Sequence, residues 1–282
     1  MYQAGLVLEG GGMKGVYSAG VLDFFLDKGM EFSSCYGVSA GACCLCSFLS
    51  GQRKRAYDVT VDYLEDKNYC GLYSLLKTGD IFGADMCYHR IPDELNPYDH
   101  EAFYQYKGNF YSVVTNIETG EAEYIPIKDL KEEIEAIRAS ASLPLVSRNV
   151  PWKGKLFLDG GISDAIPLKR SMADGNLKNV VIMTKETGYR RKPSWETGLI
   201  KLRYKKYPKV YELMKNRHLV YNENLDFIEA QERAGKVFVI RPAHKSSVGR
   251  IERDKAKLKA LYEEGYKDAE ASYKNLLAYL EA

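Results

Sequence analysis

Histidine is scarce in this chain: His89, His100, His218 and His244 are all there are among 282 residues. None sits in a recognisable motif, so each reads first as a surface or packing residue. A run of about 18 apolar residues, the length that spans a bilayer, is also missing. The start, "MYQAGLVLEGGG", has no basic lead followed by an apolar stretch and reaches Glu9 and three glycines early, unlike a cleaved signal. The chain therefore reads as beginning at Met1 in the cytoplasm. Internal repeats, low-complexity tracts and Pro/Gly/Ser-rich linkers are absent, which argues for one domain over 1–282. Its 186–282 portion would be a basic segment and C-terminal helices packing on that same domain.

Cysteine is limited to six residues, and Cys35, Cys43, Cys44 and Cys46 crowd into one short stretch. Neighbouring helix positions cannot all pair as disulfides, and no second ligand cluster accompanies them. Free, buried thiols are expected, with no metal and no cofactor. Net charge is almost absent at +2, but it is unevenly spread. Between Tyr189 and His218 lie ten Lys or Arg against two Glu, interleaved with Trp195, Leu199, Ile200, Leu202, Tyr204, Tyr207 and Tyr211. That composition suits a peripheral docking face for an anionic membrane; a solvated helix face balancing an acidic body is the other reading. No nucleic-acid partner is expected.

What is present is a β-α-β-α pattern in the first fifty residues. "AGLVLEG" reads as a strand, "VYSAGVLDFFLDKG" as a helix, "SSCYGV" as a strand and "SAGACCLCSFLSG" as a buried helix. Two strands joined by a turn are expected in "NFYSVVTNIETGEAEYIPI". Further strands are expected at "KLFLDGG", "NVVIMTKE" and "KVFVIRP", with helices around 129–139, 207–217, 222–234 and 251–280. Strands alternating with helices predict an α/β fold with a mostly parallel central sheet covered on both faces.

Three motifs carry chemistry. Gly10-Gly11-Gly12-Met13-Lys14-Gly15 matches G-x-G-x-x-G between a strand and a helix. A dinucleotide would want an acid at the end of the next strand, but Ser39 stands there, and a P-loop would want Ser or Thr after Lys14. Backbone amides at such a turn also suit the oxyanion of a tetrahedral intermediate. Gly37-Val38-Ser39-Ala40-Gly41 matches the G-x-S-x-G turn that presents a serine nucleophile. For its base, a Ser39-Asp159-His244 triad has the right order, but only one strand precedes the serine and "RPAHKSS" lends His244 no support. Asp159, ending the strand "KLFLD" before Gly160 and Gly161, is the stronger candidate. A carboxylate is a weak base, so partial desolvation and strong oxyanion stabilisation are required of the site.

Together "GGGMKG", "GVSAG" and "DGG", in that order, resemble the patatin-like phospholipases, and "ASASLP" at 139–144 is similar to a block that family carries between its serine and aspartate. The resemblance spans about residues 4–185. It implies a three-layer α/β/α sandwich and calcium-independent hydrolysis of lipid acyl esters by a Ser-Asp dyad. Ser39 would be the nucleophile and Asp159 its proton acceptor, with the amides of Gly11 and Gly12 in the oxyanion hole. Gly10, Gly15, Gly37, Gly41, Gly160 and Gly161 would shape the motifs. Lys14 stands where many members have arginine. The expected substrate is a phospholipid, lysophospholipid or related ester; a nucleotide-binding protein and a non-catalytic lipid-docking module are the rivals.

Overall fold

The computed structural model describes residues 1–282. Eight strands form one sheet: β1 Tyr2–Leu8, β2 Phe32–Val38, β3 Asn109–Asn116, β4 Ala122–Pro126, β5 Val150–Trp152, β6 Lys155–Asp159, β7 Asn179–Ile182 and β8 Val237–Ile240. Ten α-helices accompany them: α1 Gly15–Asp27, α2 Ala40–Leu49, α3 Arg55–Val61, α4 Leu72–Thr78, α5 His100–Gln105, α6 Leu130–Ser140, α7 Leu168–Ala173, α8 Thr197–Arg203, α9 Pro208–Arg233 and α10 Lys255–Glu281. A wide-turned helical stretch, Met86–Leu95, holds Pro92.

Strands β3, β2, β1, β7 and β8 lie side by side and parallel, while β4 and β6 pair antiparallel with β3 and β5 pairs antiparallel with β6. Side chains alternate across a strand, and here both sides are buried. Leu6, Leu8, Cys35, Val180 and Ile182 point into a core with α1, α2, α6 and α10. Val7, Tyr36, Val181 and Met183 point into a second core with α7 and α9. The result is the expected α/β/α sandwich.

Helix α1 is buried on nearly every side, since α10 lies along it on the same face of the sheet. The two backbones come close at Gly20 and Gly265, and three tyrosines seal the flanks. Tyr17 donates to Asp268 at 2.7 Å, Tyr262 to Asp23 at 2.6 Å and Tyr266 to Asp27 at 2.9 Å.

One expectation is corrected. The helices expected at 207–217 and 222–234 are a single helix, α9. No proline or glycine interrupts it, and the exposed Leu219 and Val220 merely fall on its outer side, while Tyr221, Leu225 and Ile228 keep a helical spacing inward. No helix is long and apolar enough to cross a membrane.

Candidate active site

Ser39 alone separates β2 from α2, and its backbone sits at φ 55° and ψ −126°. Side-chain-bearing residues rarely adopt positive φ, and such strain costs about 1–3 kcal/mol, so neighbours must hold it. The Ser39 amide donates to Ser140 Oγ at 2.8 Å, and the Ala42 amide donates to the Ser39 carbonyl at 2.9 Å. The turn is also tight. A methyl group on Gly37 would lie 2.5 Å from Ala42 Cα, and one on Gly41 would lie 2.8 Å from the Leu8 carbonyl oxygen.

Strand register brings Asp159 to this serine. β4 pairs with β3 over Tyr111 to Thr115, which overlaps the pairings of both β2 and β6, so β2 and β6 must share the opposite edge of β3. β2 runs parallel to β3 and ends with Val38 opposite Val113; β6 runs antiparallel and ends with Asp159 opposite Val114. The two strands thus converge head-on, and the residues at their tips are Ser39 and Asp159. Gly160 allows the close passage, since a Cβ there would lie 2.2 Å from the Val113 carbonyl oxygen. The "ASASLP" stretch clamps both tips: Ser140 holds the Ser39 amide, and the Ser142 carbonyl accepts from the Asp159 amide at 2.8 Å.

Asp159 is 2% exposed. Its Oδ1 accepts from the Gly161 amide at 2.7 Å. Burial raises its pKa above the ordinary aspartate value, opposed by Arg217, by the Ser39 hydroxyl as a hydrogen-bond donor, and by the Gly161 amide. A carboxylate so placed is a stronger base than one in water.

The glycine loop packs on the serine turn. A Cβ on Gly10 would lie 2.8 Å from Ser39 Cβ, and one on Gly15 2.8 Å from Ala40 Cβ, while Gly12 takes φ 59°. The amides of Gly10 and Gly11 have no backbone or side-chain acceptor, whereas the Met13 amide donates to the Arg250 carbonyl at 3.0 Å. Ala40, the first residue of α2, adds an amide with no partner inside its helix. Amide donors left without an acceptor at one turn suit an oxyanion. Behind the loop, buried Glu9 accepts from the Thr184 amide at 2.8 Å and from the Tyr221 hydroxyl of α9.

Two cavities meet at Ser39. The larger, about 520 Å³, is mainly apolar and is walled by Cys43, Tyr69, Phe82, Tyr88 and Ile91 among others. Much of that wall comes from residues 55–98, which carried no functional signal in the sequence. The smaller, about 170 Å³, contains Ser39, Asp159, Gly10, Gly11 and Gly161 together with Lys185, Arg191, Arg217 and Arg250. The Arg217 Nε donates to the Gly161 carbonyl at 2.7 Å. Burial, then Arg191, pushes the Arg217 pKa down to about 10, and burial pushes Lys185 down to about 8.

Sequence reasoning missed these four cations. The charge density at 189–218 pointed to two of them but was read as a surface: Arg191 and Arg217 turn inward, and Arg190 is paired with Asp226 and Glu229. The six cysteines are free. Cys44 and Cys46 spend their thiols on the carbonyls of Gly15 and Ala42. His244 is exposed, and neither it nor His218 lines either cavity.

Comparison with known proteins extends the local motifs. Residues 6–171 match the patatin-like phospholipase family, and residues 207–281 match a domain of unknown function, DUF6363. The uncharacterized protein YjjU of Escherichia coli (strain K12) is 28% identical over 86% of this chain and 70% of its own length. Lysophospholipase NTE1 of Yarrowia lipolytica is 28% identical over 61% of this chain but only 12% of its own length. A probable lipid hydrolase, 463L of Invertebrate iridescent virus 6, is 22% identical over 63% of the chain and 66% of its own. The solved structure of VipD from Legionella pneumophila aligns with all of this chain and 67% of its own at 13% identity and TM-score 0.49. Since the matched stretch 6–171 takes in the glycine loop, the serine turn and the Asp-Gly-Gly turn whose packing builds the site, this chain belongs to the patatin-like phospholipase family of hydrolases.

Proposed function

We propose that the protein is a serine acyl hydrolase that cleaves the acyl ester of a phospholipid, lysophospholipid or related lipid through an acyl-serine intermediate. The observation that carries this reading is the convergence of β2 and β6 on one edge of β3, which sets a strained serine beside a buried carboxylate. Ser39 Oγ attacks the ester carbonyl as its proton passes to Asp159, and the glycine-loop amides with that of Ala40 hold the oxyanion. Asp159 then returns the proton to the departing alcohol. Water, deprotonated by the same carboxylate, releases the fatty acid in a second passage through an oxyanion, and the proton passes from Asp159 to the departing Ser39 Oγ. The apolar cavity supports an acyl-chain role, and relatives named lysophospholipase support a lipid ester. A fluorophosphonate probe is expected to label the protein on Ser39 and to leave Ser39→Ala unlabelled. Labelling that persists in Ser39→Ala would overturn the assignment.

The α8 region supports approach to a membrane. Trp195 (84% exposed), Leu199 and Leu202 face outward while Ile200 and Tyr204 are buried, and Lys201, Arg203, Lys205 and Lys206 are exposed without ion pairs. Interfacial tryptophan and bases near anionic lipid, each contributing about 1 kcal/mol, would hold such a face at a bilayer. Reversing Lys201, Arg203, Lys205 and Lys206 to Glu is expected to weaken binding to anionic vesicles about tenfold or more and to slow hydrolysis of vesicle lipid. Equal vesicle binding by the wild type and this variant at low salt would rule the docking face out.

A further inference from the structure

We propose that the smaller cavity beside Ser39 is an anion subsite that seats the phosphate of the substrate's head group, its four cations supplied by chain that lies beyond the family match at 6–171. The proposal rests on the acyl-hydrolase reading above for its biological use, but not for its chemistry. Lys185, Arg191, Arg217 and Arg250 surround a space that also holds Ser39 and two carboxylates, Glu9 and Asp159. Arg217 and Arg250 belong to the stretch matched to the domain of unknown function.

The cations are poised rather than neutralised. None of the four has an ion-pair partner within 4.0 Å, although ion pairs occur elsewhere in the chain. The two carboxylates are occupied by other donors, Glu9 by Thr184 and Tyr221, Asp159 by Gly161. Arg191 is held in place: its amide donates to Asn222 Oδ1 at 2.8 Å, its carbonyl accepts from Asn222 Nδ2 at 3.0 Å, and its guanidinium lies 4.3 Å from the Tyr221 ring centre. Its Nε is nonetheless buried without a hydrogen-bond partner. Arg217 uses Nε on Gly161 and keeps its terminal nitrogens.

Four cations against two carboxylates leave two positive charges, which suits a phosphate monoester of about −1.5 to −2 at neutral pH. Planar guanidinium groups match phosphate oxygens two at a time. Burial and mutual repulsion depress the proton affinity of Lys185 and Arg217, and a bound anion would relieve both. Position agrees with charge. Gly12, Ser39, Leu143 and Arg250 line both cavities, so an ester carbonyl at Ser39 can send its acyl chain into the larger and its alcohol into the smaller. Glycerol carrying a terminal phosphate is the alcohol this arrangement favours over uncharged glycerol.

The test separates binding from turnover. Full-length Ser39→Ala protein is titrated calorimetrically with sn-glycerol 3-phosphate, inorganic phosphate and glycerol. Glycerol phosphate is expected to bind, inorganic phosphate to bind about tenfold more weakly, and glycerol not to bind. Adding Arg191→Gln, or Lys185→Gln in a separate protein, is expected to weaken glycerol phosphate about tenfold or more. In the active protein, kcat/KM for an acyl glycerol phosphate should exceed that for the acyl glycerol of the same chain, and Arg191→Gln should collapse that preference. Two independent positions keep the test readable if one variant does not fold, as judged by circular dichroism. Absence of glycerol phosphate binding, or binding indifferent to both substitutions, overturns the proposal. Inorganic phosphate binding as tightly as glycerol phosphate overturns the head-group assignment in favour of a free-phosphate site. An inactive wild type that still binds glycerol phosphate would instead sink the hydrolase reading and leave the anion site standing.

Discussion

Asp159→Asn is expected to lower ester turnover by two or more orders of magnitude while raising the melting temperature. The first effect follows from the proposed loss of the group that takes the Ser39 proton. The second follows from linkage. Burial raises the Asp159 pKa in the folded protein, so the folded state holds this proton more tightly than the unfolded chain does. Its contribution to stability is full at low pH and is lost as pH rises through the folded pKa, so at neutral pH the ionised carboxylate destabilises the fold. Asparagine removes that charge and keeps an oxygen for the Gly161 amide. The same shift sets the pH profile: activity of the wild type should fail on the acid side at a pH above the ordinary aspartate value of 3.8. Ser39→Ala should match the loss of turnover, and His244→Ala should change it little. A large loss in a well-folded His244→Ala protein would restore the triad, and a less stable Asp159→Asn would refute the electrostatic account.

Gly265→Ala is expected to destabilise the protein, although alanine is the better helix former by about 1 kcal/mol. A Cβ at Gly265 would stand 2.1 Å from the Tyr17 carbonyl oxygen of α1, and one at Gly20 would stand 2.0 Å from the Tyr262 carbonyl oxygen of α10. Backbone in the middle of a helix cannot step aside as a side chain can, so the helices must part. Overpacking of this kind costs about 1–3 kcal/mol, occasionally more, and the melting temperature should fall by several degrees. Because either substitution forces the same separation, Gly20→Ala with Gly265→Ala should cost less than the two together predict. Function should suffer as well, since Arg250 lies just before α10 and its carbonyl holds the Met13 amide beside the glycine loop. We propose that residues 1–282 unfold as one unit for this reason, and a single calorimetric transition for wild type and variants would support it. An unchanged or higher melting temperature for Gly265→Ala would show that the helices yield more easily than their contact implies.

Both sites bear on what a sequence can reveal. The amino-acid order by itself determined the parts whose geometry is local. A glycine run after an apolar strand makes a loop of free amides, glycines flanking Ser39 permit a strained turn, and Asp-Gly-Gly ends a strand, all through sterics within a few residues. The alternation of apolar runs and helical patterns likewise fixed the α/β class, because a strand buried on both faces must be covered on both. Only the tertiary structure decided which of these parts meet. Ser39 and Asp159 are neighbours because β2 and β6 share an edge of β3, a matter of register that no contiguous stretch contains. Arg191 and Lys201 belong to one basic stretch, yet the first turns into the cavity and the second faces solvent, since that choice depends on Asn222 and Tyr221 of α9. The reason for glycine at 265 within a long helix lies in α1, whose Tyr17 carbonyl packs against it. Local sterics act between residues close in the chain and are written there; packing acts between surfaces, and the partner surface exists only once the chain has folded.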